Sequence, residues 1–152
     1  MSRHSERGAT LPEMAVVAIV FLTLLFGIID FGRAMYTYGF VSYLARQGAR
    51  WAVVRGSTSC TNSKSLLNDC DATVAEIQSY VQSLSEGMTG APTDLQVTPT
   101  WPSCPNGTAG SNDPGCTVSV QVSYNFNFLT WVLPRSPTTY AISSTSQMVI
   151  SQ

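Results

Sequence analysis

Apolar positions cluster at the start of the chain. Between Glu13 and Asp30 no charged residue occurs, and nearly every position is aliphatic or aromatic. As a helix, Leu11 to Asp30 is about 30 Å long, the hydrocarbon thickness of a bilayer. The pattern therefore predicts a membrane-spanning helix. A cleaved secretory signal is the alternative, but its apolar core is about 7 to 15 residues long and ends at a small-x-small site. This run is longer, and Asp30 to Tyr36 offers no such site. From Phe31 to Val54 there is no proline, and Ala34, Tyr38, Val41, Ala45, Ala49 and Ala52 recur at spacings of three and four. That stripe extends the helix to Val54, roughly 65 Å in all, with about half beyond the bilayer. Arg46 and Arg50 share another face with Tyr36 and Tyr43, and Asp30 pairs with Arg33 one turn on. Gly27, Gly32, Gly39 and Gly48 each cost about 1 kcal/mol relative to alanine in a helix interior. They fit either a helix that stretches or one that packs closely against a neighbour.

Beyond the helix the patterning changes. Gly56 is read as its end, and Ser57 to Lys64 as a polar loop. Asp71 reads as the N-cap of a second helix to about Leu84, burying Val74, Ile77, Val81 and Leu84. Glu86 to Pro92 breaks that helix, and Leu95 to Thr98 is a short strand closed by Pro99 and Pro102. Val118, Val120, Val122, Tyr124 and Phe126 alternate with Ser119, Gln121, Ser123, Asn125 and Asn127, a strand with one buried and one wet face. Phe128 to Leu133 is an apolar turn containing Trp131, ended by Pro134 and Pro137. Thr139 to Ser151 reads as a last strand with Ala141, Val149 and Ile150 as weak anchors, its register open in either sense. The fold class is α+β: a long N-terminal helix packed on a small domain with a second helix and an antiparallel sheet of undetermined strand order.

Composition narrows the functional classes. The 152 residues hold one membrane element and about one small domain. Only 11% are charged and the net charge is -1, which gives nucleic acid no electrostatic attraction. Cys60, Cys70, Cys104 and Cys116 all follow the helix, without the spacing of a zinc or redox site. Disulfides outside the cytoplasm are the simplest reading, four reduced thiols the alternative. Of three pairings the local ones are preferred, Cys60 with Cys70 and Cys104 with Cys116, each worth roughly 3 kcal/mol in the chain-entropy model. His4 is the only histidine and the carboxylates are scattered, so neither catalysis nor a cofactor is expected. Asn112 and Asp113 lie in a turn-rich loop without calcium-site spacing, and the sequon Asn106-Gly107-Thr108 is read as incidental.

A basic leader, MSRHSERG, precedes Gly8-Ala9-Thr10-Leu11-Pro12-Glu13 and the apolar helix. This junction resembles that of type IV prepilins. With Phe26 to Tyr36 and Gln47 to Val54, it is similar to the TadE-like proteins of the Tad, or Flp, pilus system. The resemblance implies a pilin-like fold and cutting between Gly8 and Ala9 by a prepilin peptidase, with Glu13 the fifth residue of the mature chain. It implies the inner membrane as the site before assembly, an extracytoplasmic C-terminal domain, and other pilin subunits as partners through the N-terminal helix. Glu13 would then pair with the new amino group of a neighbour's Ala9, because a carboxylate at the bilayer edge is costly to bury alone. The alternative is an interfacial carboxylate favoured by the helix dipole. Pro12 stands where the family usually has an aliphatic residue and suits a first helical turn. The resulting organisation is a leader (1–8), a long helix (9–55) and an extracytoplasmic domain (56–152). The family favours a minor pilin or pseudopilin; a major filament pilin and a non-polymerising, membrane-anchored binding protein are the alternatives. In the last, Trp101, Trp131 and the 104–116 loop would be the contact surface.

Overall fold

The computed structural model describes residues 10–59, 72–87, 94–105, 107, 110–129 and 139–151. Gly8, Ala9, Cys60, Cys70, Asp71, Asn106, Thr108, Trp131, Pro134 and Pro137, on which several expectations fall, lie outside them. Among the described residues two helices and three strands follow in the order α1 (Thr10–Val53), α2 (Val74–Leu84), β1 (Leu95–Ser103), β2 (Thr117–Asn127) and β3 (Thr139–Val149), with a 3-10 turn at Ser85–Gly87. The strands form one antiparallel sheet in the order β1-β2-β3. Both helices lie on one face of it, α1 across β2 and β3 and α2 against β1. This is the α+β, pilin-like arrangement expected.

The core forms where the two layers meet. Val118, Val120, Val122, Tyr124 and Phe126 of β2 are buried, as the alternation predicts. They meet Val41, Leu44, Ala45, Ala49 and Ala52 of α1, with Ile77 and Val81 of α2. The buried line of α1 is rotated from the predicted stripe: Leu44 replaces Tyr38, which is exposed. Small residues on this line bring the layers together, most closely at Gly48, where an added Cβ would lie 2.8 Å from Val81 Cγ2 and 3.1 Å from Val120 Cγ1. Gly27, Gly32 and Gly39 have open space at the same position. Close packing within the chain thus accounts for one of the four helical glycines.

Several boundaries differ from expectation. α1 ends at Val53 without a left-handed glycine; Gly56 is buried in the following turn, where its carbonyl accepts the Ser59 amide at 3.0 Å. The N-cap of α2 is Thr73, not Asp71: its hydroxyl accepts the Glu76 amide while the Glu76 carboxylate accepts the Thr73 amide, a capping box. Val74, in the first turn, is exposed, so Ile77 and Val81 carry the buried side of α2. β1 runs through Pro99 and Pro102 to Ser103 instead of stopping before them. It is an edge strand, and a proline whose nitrogen faces away from the neighbouring strand breaks no ladder bond. In β3 the buried anchors are Ile142 and, just past the strand, Ile150; Ala141 and Val149 point outward and are exposed. Continuous pairing from Thr117↔Val149 to Asn127↔Thr139 sets that register.

Candidate functional site

None of the described residues covers the first half of α1. From Leu11 to Ile29 every residue is exposed, including Phe21, Leu24 and Ile28. It is the one helix among the described residues long and apolar enough to cross a membrane. Its backbone bonds are internal and the Thr23 hydroxyl donates to the Ile19 carbonyl at 2.8 Å, so little polar demand is left on its surface. Glu13 stands exposed in the first turn, where the helix dipole favours a carboxylate.

The helix meets the domain at Asp30, which is only 4% exposed. Its Oδ1 accepts from Arg33 Nη1 at 3.2 Å and from the Leu129 amide at 3.2 Å. Arg33 in turn lies over the Phe126 ring, 5.2 Å from its centroid, and Phe128 packs edge-on against Phe126. The expected Asp30–Arg33 ion pair is present, with a tie to the end of β2 that one-turn spacing could not reveal. A carboxylate so placed is tolerable in a buried position because both a cation and a backbone donor meet it. Beyond it, Tyr36, Phe40 and Tyr43 form a row along the outer face, successive centroids 6.1 Å apart. An apolar outer surface thus continues past the bare segment, and Arg46 and Arg50 are exposed farther along.

At the opposite end Cys104 and Cys116 are bridged, S–S 2.02 Å, closing the loop between β1 and β2. The Asp113 carboxylate in that loop accepts hydrogen bonds from the Ser57 and Ser111 hydroxyls. Those bonds hold its pKa below the usual carboxylate range, against a smaller opposing effect of desolvation. Arg55 stacks on Trp51, which stacks on Tyr80 of α2, tying the end of α1 to the second helix. Trp101 is half-buried and packs on the core. No group of three or more His, Cys, Asp or Glu residues that could hold a metal ion occurs among the described residues.

The arrangement is one of surfaces: a bare apolar rod, a pinned junction, and a stapled domain at the far end. Among curated proteins and among solved structures, none matches the chain. Residues 8–50, which carry Glu13, the bare rod and the Asp30 junction, match the family described as TadE-like protein.

Proposed function

We propose that the chain is a minor pilin or pseudopilin of a Tad-type pilus, with a structural and not a catalytic role. It is made with a short leader, cut after Gly8 by a prepilin peptidase, and held in the bacterial inner membrane by α1 with its domain outside the cytoplasm. It then enters or primes a filament by packing α1 against the helices of other pilin subunits, and any adhesive role belongs to the far end of the domain. The observation that carries this reading is the Gly8 to Glu13 junction joined to a helix whose first half its own domain leaves uncovered. The bridged Cys104 and Cys116 support an extracytoplasmic domain, since disulfides persist in oxidising compartments. In the filament Glu13 pairs with the amino group of a neighbour's Ala9 and sets the register.

Intact mass and N-terminal sequencing of protein from the native host test the processing step. A mature chain beginning at Ala9 is expected; an uncut chain, or one beginning elsewhere, overturns it. The stoichiometry of purified filaments separates the minor role from that of a major subunit, since dominance in the shaft refutes it. A membrane-anchored binding protein would keep its activity with Glu13→Ala, whereas a pilin loses incorporation.

A further inference from the structure

The end of α1 is finished by groups from far along the chain. The Val53 carbonyl accepts from the Ser151 amide at 3.3 Å and from the Ser151 hydroxyl at 3.4 Å. The Arg55 amide donates to the Ala52 carbonyl at 3.1 Å, and its guanidinium donates to the Trp51 carbonyl at 3.4 Å while lying over the Trp51 ring. Arg55 thus serves two of the carbonyls that the last turn of a helix leaves open. It is itself held in place: its own carbonyl accepts the Ala72 amide at 2.9 Å and the Asn112 side-chain amide at 3.4 Å. Two residues on, the Ser57 amide donates to the Asn112 carbonyl at 3.0 Å and the Ser57 hydroxyl to the Asp113 carboxylate.

Asn112 and Asp113, which make this grip, belong to the loop closed by the Cys104–Cys116 bridge. The path from the bridge to the helix is short, since the Cys116 amide donates to the Asp113 carbonyl at 3.0 Å. The described residues of the loop form neither helix nor strand, so no ladder of their own fixes them. A cross-link across such a loop removes conformational freedom that would otherwise oppose the grip. The two sulfurs differ in access: Cys116 is 1% exposed, whereas Cys104 is half-buried.

We propose that the Cys104–Cys116 bridge is a redox latch on α1. Closed, it holds Asn112 and Asp113 against Arg55 and Ser57 and completes the last turn of the helix; opened by a dithiol, it releases them and that turn frays toward Trp51. In opening, a thiolate of the dithiol attacks Cys104 Sγ, the S–S bond breaks, and Cys116 leaves as a thiolate that takes up a proton. The second thiol of the dithiol attacks the mixed disulfide, so that Cys104 is released as a thiol and the dithiol becomes a cyclic disulfide. Closing is the reverse, with a disulfide donor reduced as the two cysteine thiols are oxidised. The finished end of α1 is therefore the product of a thiol-oxidising reaction. The coupling is reciprocal: by whatever factor the bridge favours the grip on Arg55 and Ser57, the grip favours the bridge.

The test uses the full-length chain in detergent micelles, with Cys60 and Cys70 unchanged. In Cys104→Ala with Cys116→Ala, hydrogen exchange of the Arg55 and Ser57 amides is expected to rise about fivefold or more, and that of the β2 and β3 ladder amides by less than about twofold. Reciprocity gives a second reading in chains that keep the bridge. Ser57→Ala with Asn112→Ala removes the side-chain bonds of the grip, and should raise the equilibrium constant for reduction of Cys104–Cys116 by dithiothreitol about threefold or more. Alkylation of the released thiols and mass analysis of the peptides that carry them measure that constant. Asp30→Ala, at the opposite end of the domain, is the control and should leave both readouts within about twofold. Unchanged exchange at Arg55 and Ser57, an equal rise across the sheet, an unchanged reduction constant in the grip variant, or an equal rise with Asp30→Ala would overturn the proposal. If the cysteine variant does not fold, the reduction constants decide alone. None of these readouts needs a bilayer or a filament, so the pilus reading stands or falls separately.

Discussion

Gly48 and Gly39 lie nine positions apart on one helix and respond oppositely to the same change. A methyl group at Gly48 meets Val81 and Val120, two stiff β-branched side chains that are fully buried, and cannot be relieved by an exposed chain swinging away. Overpacking of about 1 to 3 kcal/mol exceeds the gain of about 1 kcal/mol in helix propensity over most of that range, so Gly48→Ala should lower stability by up to about 2 kcal/mol. Gly39→Ala meets open space and should raise the stability of the domain by up to about 1 kcal/mol. Chemical denaturation of the two variants checks the sign of each. Asp113 offers a test by pH. Its folded-state pKa lies below the unfolded one because the Ser111 and Ser57 hydroxyls favour the carboxylate. The stabilisation is therefore present above the unfolded value and is lost as pH falls through the folded one, on the acid side of about pH 4. Melting curves between pH 5 and pH 2 should show Asp113→Asn losing less stability on acidification than the parent.

The capping box of α2 is local chemistry with a measurable effect. Thr73 and Glu76 satisfy one another's backbone donors ahead of a helix that spans only Val74–Leu84, too short to be stable alone. Thr73→Ala should destabilise the domain by about 1 kcal/mol, read as a lower denaturation midpoint with an unchanged slope. The sequence held this signal in full, as Thr73 followed three residues later by Glu76, but Asp71 two residues earlier is an equally good capping residue taken alone. What separates them is the reciprocal partner. β2 was legible because apolar and polar side chains alternate without exception from Val118 to Asn127. β3 was legible as a strand yet not in register, since Ser and Thr fill its centre and the anchors Ile142 and Ile150 differ little in strength from Ala141 and Val149. The full length of β1 is not legible, because a proline's effect depends on whether its strand is central or at an edge, and strand order does not follow from one strand's sequence.

Taken together, the chain is a rod and a cap joined at one buried carboxylate. The rod was plain from hydropathy alone, whereas the junction was not: Asp30 and Leu129 are 99 positions apart, and nothing local to either announces the other. The division has a consequence for stability. No side chain from Leu11 to Ile29 is buried, so that segment adds nothing to the core, while Asp30, Arg33 and all that packs on the sheet lie after it. Removing residues 1–28 should therefore leave a folded domain in water without detergent, with a melting temperature within a few degrees of that of the full chain in micelles. Asp30→Ala in the truncated domain should then cost about 1.5 to 3 kcal/mol, because the Leu129 amide loses a charged acceptor and Arg33 its partner. Asp30→Asn keeps an acceptor for that amide but not the ion pair and should fall between the two. If truncation alone unfolds the domain, the rod contributes to the fold after all, and the separation of anchoring from folding fails.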